Sequence, residues 1–293
     1  MWIANSFAKI NLGLHILERL PTGYHRIETG FCFIEWYDRF EVTQSDSGDY
    51  ELSMTDEKIT VDESNLITKA YRSFERYVGL KNQYKIDVSK NIPTGAGLGG
   101  GSSNAALTLR LLNKIEKVGL TNEDLIDLSR DLGADVPFFI KGSCGIGTGL
   151  GHEVEELDFQ PDGWIVSVFP GFESSTPEAY KNCIPNPDPD FSIKGILMEE
   201  EMDQWQFLLQ NDLEPVVISK YEMIGNIKDQ LLDLGAVYSA MSGSGSTVFG
   251  IFDQDFVAIQ AYESFHKLGF SVNLTRPGFK PDYGIYICDS NKH

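Results

Sequence analysis

The chain has 293 residues, of which 42% are hydrophobic and 23% charged, a composition that suits two modest domains with ordinary cores and excludes a disordered or fibrous protein. Its formal net charge of −19, from 24 basic and 43 acidic residues, argues against a nucleic-acid partner, because general DNA and RNA binders need a basic face to displace counterions. A small polyphosphate can still bind where local donors overcome that background.

In chain order, residues 6–17 alternate. Ile10, Leu12, Leu14 and Ile16 fall on one face and Lys9, Asn11, Gly13 and His15 on the other, the pattern of a half-buried strand with a polar working face. Further strands are expected at 29–43, 50–54 and 84–88. From Ser102 the period becomes helical through Leu107, Leu111 and Ile115, and Gly119 is expected to stop the helix. Thr121, with Asp124 three residues on, caps a second helix whose stripe is Leu125, Leu128 and Leu132. The five glycines of 141–151 read as an irregular loop. Beyond about residue 155 a second unit begins: a strand at 164–169, a Pro/Asp/Asn connection at 184–191, and a helix at 222–234. A strand, Gly/Ser loop and strand follow over 237–252, then a helix at 255–267 and strands near 270–275 and 284–288. The class is α+β, with units at 1–155 and 156–293.

Cys32, Cys144, Cys183 and Cys288 are far apart and form no CxxC pair, so neither a disulfide framework nor a structural metal is expected, and a reducing cytoplasm is the simplest setting. The first residues lack the basic segment and apolar run of a signal peptide. No stretch approaches the roughly 20 apolar residues of a membrane helix, so no membrane partner is expected. His152, His266 and His293 read as surface residues.

The most informative segment is Pro93-Thr94-Gly95-Ala96-Gly97-Leu98-Gly99-Gly100-Gly101-Ser102-Ser103. Glycines let successive backbone N–H groups converge on an anion, and a helix starting at the two serines aims its free amides and positive dipole end at the same point. This is a phosphate cradle that works without a basic side chain. A GxxxxGK[ST] loop is excluded because Gly101 stands where Lys is required. Gly95, Gly97 and Gly100 satisfy GxGxxG, and Glu116 lies further on, as a dinucleotide fold requires. Against that reading, residues 85–90 alternate as an exposed-face strand and Pro93 intervenes before the turn. A flexible linker is the remaining alternative.

The same loop resembles the ATP-binding motif of the GHMP kinases, which phosphorylate small-molecule hydroxyls. Ala8-Lys9-Ile10-Asn11-Leu12 is similar to that family's N-terminal motif, and Met241-Ser242-Gly243-Ser244-Gly245-Ser246-Thr247 to its C-terminal glycine loop. Gly23-Tyr24-His25, Glu63-Ser64-Asn65-Leu66, the 133–139 segment GADVPFF and Thr176-Pro177-Glu178-Ala179-Tyr180 narrow the resemblance. They point to the branch whose acceptor is 4-(cytidine 5′-diphospho)-2-C-methyl-D-erythritol, in the non-mevalonate isoprenoid pathway. Departures are Phe7, where the family usually has Pro, and Thr22-Gly23, where it has Asp-Gly; residues after about 276 match no motif.

The resemblance implies a ribosomal protein S5 domain 2-like N-terminal domain and a ferredoxin-like C-terminal domain, with ATP as cosubstrate and Mg²⁺ accompanying it. It makes Asp135 the catalytic base, a residue that alone would read as a helix N-cap before Val136-Pro137. Lys9, alone a solvated strand lysine, becomes the partner of Asp135, and Asn11 on the same face a contact to the acceptor. Tyr24 would stack on cytosine, His25 would bind its edge, Tyr180 would close the other face and Thr176 would shape that loop. Asn65, Leu66 and Lys90 would form the adenine pocket, although Asn65 alone would read as a helix cap. Ser102 and Ser103 would meet phosphate or Mg²⁺, though both could be helix caps. Ser242–Thr247 would pack beside the first glycine loop, or serve only as a hairpin connection. Other readings stay open: a homoserine- or mevalonate-kinase-like enzyme, a nucleotide binder without catalysis, and an NAD(P)-dependent oxidoreductase.

Overall fold

The computed structural model describes residues 1–287; Cys288 and His293 lie outside them. Two long strands, β1 (Trp2–Arg19) and β2 (His25–Gln44), form an antiparallel pair. The half-buried strand expected at 6–17 is longer and buried on both faces, with Lys9, Asn11 and His15 all inside. Its simple alternation also fails at Gly13. This residue has φ +72° and is an extra residue in β1, because the register passes from Leu12↔Gly30 to Leu14↔Thr29. Ile10 and Leu12 therefore pack in one core cluster and Leu14 and Ile16 in another.

The first sheet continues through β3 (Glu51–Met54) and β4 (Tyr84–Ser89) in the order β1-β2-β4-β3, with β3 and β4 parallel. Between them α1 (Leu66–Val78), whose start is marked in the sequence only by Asn65 as a helix cap, packs Ile67, Ala70, Tyr71 and Phe74 inward. The amphipathic helix expected from Ser102 is α2 (Gly100–Ile115); it starts two residues earlier and ends before Gly119. Gly99, left-handed at φ +67°, is its N-cap, so Ser102 and Ser103 lie within the helix rather than capping it. Next come α3 (Asn122–Leu128), with the Thr121–Asp124 capping box formed, and α4 (Val136–Lys141). Leu132 is buried but outside α3. The glycine-rich stretch expected to be irregular is instead a hairpin, β5 (Gly145–Thr148) and β6 (Glu153–Glu156), paired to β2.

The chain then enters a second sheet. β7 (Trp164–Phe169) is followed by α5 (Thr176–Asn182), α6 (Ile193–Glu199), α7 (Trp205–Leu208), α8 (Glu214–Lys220) and α9 (Glu222–Asp233). Of these helices only α9 was expected. After them come β8 (Tyr238–Met241), β9 (Val248–Phe252), α10 (Asp255–Lys267) and β10 (Ser271–Thr275). The antiparallel order β10-β7-β9-β8 is that of a ferredoxin-like βαββαβ unit. β11 (Tyr286–Ile287) returns to pair with β1. No helix among the described residues is long and apolar enough to cross a membrane.

Candidate active site

A cleft of about 1090 Å³ brings together residues from 9 to 244. Its floor is the 93–101 loop. Four successive carbonyls of that loop are fastened to the protein. Gly95 O accepts from Ser174 N (3.3 Å), Ala96 O from Thr247 N (3.1 Å) and Leu98 O from Lys9 N (3.1 Å). Gly97 O accepts from both Ser242 Oγ (2.9 Å) and Lys9 Nζ (3.1 Å). With the carbonyls turned inward, the alternating left-handed glycines Gly95, Gly97 and Gly99 present the intervening amides to the cleft. Among the described residues no side chain caps the first amides of α2, which therefore stay free to bind an anion at the positive dipole end.

Lys9 stands at an irregularity of β1 between Phe7 and Lys9, the kind of distortion that re-aims a side chain. Only 4% exposed, its ammonium donates to Asn11 Oδ1 (2.6 Å) and lies 3.4 Å from Asp135 Oδ2. Asp135 holds the N-cap position of α4, yet its side chain makes no capping bond and faces Lys9 instead. Its carboxylate is thus available for chemistry. Asn11 is further fixed by donating Nδ2–H to Thr29 Oγ1 (2.8 Å). The Ser242–Thr247 loop packs directly on the first glycine loop through the bonds just named, so it is more than a hairpin connection.

The opposite end of the cleft is aromatic. The His25 and Tyr180 rings are 5.4 Å apart, Tyr24 stands exposed at the rim, and Thr176 Oγ1 meets Ser244 Oγ at 2.6 Å. Burial, and then the Arg19 charge, hold the His25 imidazole below its ordinary range. Burial, reinforced by the Asp135 charge, pushes the Tyr180 hydroxyl above its usual range. Arg19 and Lys181 also line the cleft. The sequence reading passed over both, because a lone cation in a −19 chain carries no spacing signal.

Some expected residues play other parts. Ser103 is buried outside the cleft lining and donates Oγ–H to Phe7 O (2.6 Å), so it is structural. Lys90 lines the cleft, but its ammonium is engaged by the fully buried Asp38 and by Asn104 Oδ1 (3.3 Å). Asp38, which no motif marked, also accepts from Asn91 N (2.7 Å) and Ile92 N (2.8 Å), setting the chain's entry into the loop. Asn65 lines the cleft while capping α1 through Ile67 N and donating to Thr60 O (2.7 Å); Leu66 lies beside it. Ser102 lines the cleft, its hydroxyl oriented toward Gly133. Glu116 sits at the far end of α2 bound to Tyr84 and Asn82, and the sheet beneath is largely antiparallel. Neither suits the dinucleotide reading.

Residues 65–143 match the model of the GHMP kinases N terminal domain, and residues 187–269 that of the GHMP kinases C terminal. The chain is 38% identical over 282 residues to a 4-diphosphocytidyl-2-C-methyl-D-erythritol kinase of Chloroherpeton thalassium, covering 94% of this chain and 98% of the relative. It is 40% identical over 265 residues to the like-named protein of Prosthecochloris aestuarii, covering 88% and 91%. A crystal structure of 4-(cytidine 5′-diphospho)-2C-methyl-D-erythritol kinase superposes with TM-score 0.79 at 30% identity, covering 94% of this chain and 100% of that one.

Proposed function

Because the chain belongs to the 4-diphosphocytidyl-2-C-methyl-D-erythritol kinases of the GHMP family, we propose the following reaction at this cleft. The γ-phosphoryl group of ATP passes to the 2-hydroxyl of 4-(cytidine 5′-diphospho)-2-C-methyl-D-erythritol, a step of isoprenoid precursor synthesis. The single observation that carries the assignment of the site is the inward fastening of the carbonyls of Gly95 to Leu98, which frees the amides beside Asp135 for a terminal phosphate.

In this reading the loop amides and the mouth of α2 bind the β- and γ-phosphates, and Asn65 and Leu66 wall the adenine side. Asp135 accepts the proton of the acceptor hydroxyl as its oxygen bonds to the γ-phosphorus and the bond to the β-phosphate breaks. Lys9 keeps the carboxylate ionised and stabilises charge on the transferring group. Asn11 orients the acceptor, while Tyr24, His25 and Tyr180 hold the cytosine, with Thr176 at the start of the α5 helix that carries Tyr180. Arg19 and Lys181, which also line the cleft, would face the acceptor's diphosphate. Mg²⁺ would arrive with ATP, and the Ser102 hydroxyl is the chain's oxygen donor that could meet it at the mouth of α2. When bound it neutralises charge between the phosphates. We divide the chain near residue 155 and place the activity in the cytoplasm, as the scattered cysteines favour.

Turnover on the cytidine-linked acceptor, compared with homoserine and mevalonate, tests the reading. Preference for the first is expected, because only that acceptor carries a base for the Tyr24, His25 and Tyr180 pocket. Preference for either of the others would overturn it. A thermal shift with NADH and none with ATP–Mg²⁺ would instead revive the oxidoreductase alternative.

A further inference from the structure

Residues 210–212 make a three-residue strap between β1 and the second glycine loop. Leu14 N donates to Gln210 O (2.8 Å) and Asp212 N to Leu14 O (2.9 Å), so the strap bridges β1 immediately after the Gly13 bulge. Asp212 Oδ2 also accepts from Ile16 N (2.7 Å). From the same strap the buried Asn211 side chain turns to the second glycine loop. Its Nδ2 donates to both Met241 O and Gly243 O, each at 2.8 Å, and its Oδ1 accepts from Leu213 N (3.0 Å). Both Nδ2 hydrogens of Asn211 are thus committed, and the two carbonyls they hold flank Ser242.

Ser242 stands where both loops and β1 meet. Its Oγ donates to Gly97 O (2.9 Å) and accepts from Asn11 N (3.2 Å). Gly97 O in turn accepts from Lys9 Nζ, and Lys9 faces Asp135. Resting on the kinase reading above, we propose that Asn211 is a positioning residue for phosphoryl transfer. By gripping the peptide units either side of Ser242 it sets the hydroxyl that registers the phosphate loop against Lys9. Nothing else polar among the described residues bonds the Gly243 carbonyl. Released, the loop could tilt by the roughly 1 Å that is enough to cost about 100-fold in a poised site.

The test is a double-mutant cycle on kcat, with KM for ATP and Tm measured alongside. Asn211→Ala and Ser242→Ala are each expected to lower kcat about 10-fold or more, with KM for ATP changing less than about threefold. Because both act through one hydroxyl, the double variant should lose little beyond the larger single loss, rather than the product of the two. Glu116→Gln, which disturbs the Tyr84 and Asn82 bonds at the far end of α2 and touches neither glycine loop, should lower Tm while leaving kcat within about twofold. Multiplying losses in the double variant would make Asn211 merely structural and overturn the proposal. Should Asn211→Ala not fold, wild-type kcat in Ser242→Ala would overturn it equally. A wild-type chain without turnover would overturn the kinase reading and this proposal together, whereas active wild type with an unimpaired Ser242→Ala sinks only this one.

Discussion

Replacing Gly97 with alanine probes how tightly the two glycine loops are fitted together. Gly97 has φ +77°, and a Cβ there would stand 2.1 Å from Ser242 O and 3.1 Å from Gly245 O. Both obstacles are backbone atoms, so no side-chain rotation relieves them. A left-handed alanine costs about 1–2 kcal/mol and overpacking about 1–3 kcal/mol more. The combined strain is about 2–5 kcal/mol if the loops stay in place, which corresponds to a Tm lower by about 3–8 °C. The alternative is that the loops part by about 1 Å, relieving the strain but displacing Gly97 O from Lys9 and costing about 100-fold in kcat/KM. Either way Gly97→Ala must show a large loss in a coupled assay of ADP release or in a thermal melt. Activity within about threefold of wild type, with an unmoved Tm, would refute the claim that the second loop registers the first.

Three further outcomes follow from the same geometry. Asp135→Asn should bind ATP nearly as wild type by calorimetry, yet lose about 10²–10⁴ in kcat; full activity would remove Asp135 as the base. Asp38→Ala strands the buried Lys90 ammonium and should lower stability by about 3–5 kcal/mol in urea titration, whereas a loss below about 1 kcal/mol would contradict a buried, paired Asp38. His25, held below its ordinary value, resists protonation in the folded chain while the unfolded chain takes up the proton normally. Its contribution is therefore full above about pH 6.5 and is lost as pH falls below that. Wild type should lose more Tm between pH 7.5 and 5.5 than His25→Gln does, and equal losses would contradict the assignment.

Much of the fold was legible because its signals are local. The strand at 164–169, the helix at 255–267 and the Thr121 capping box each declare themselves within a few residues. What escaped depends on distant partners. The phase of β1 breaks at Gly13 because of β2, and α2 begins at Gly100 because Gly99 can cap it in a left-handed conformation. Spacing alone would have left Lys9 a surface charge and Asp135 a helix cap; the family resemblance joined them, and the geometry brings them within 3.4 Å. The resemblance places Lys90 at the adenine, and no local signal reveals its ion-pair partner Asp38, 52 residues away in an unremarkable strand. Asn211 gave no warning at all, since its two acceptors are backbone carbonyls some thirty residues downstream.

The most direct trial is a crystal structure with a non-hydrolysable ATP analogue and the cytidine-linked acceptor bound together. The account requires the terminal phosphate to accept hydrogen bonds from main-chain amides of residues 95–103. It also requires the acceptor oxygen to lie about 3–3.5 Å from the γ-phosphorus, with Asp135 on its far side. A nucleotide whose phosphates are gripped by Arg19 and Lys181, with the loop amides left to solvent, would contradict it.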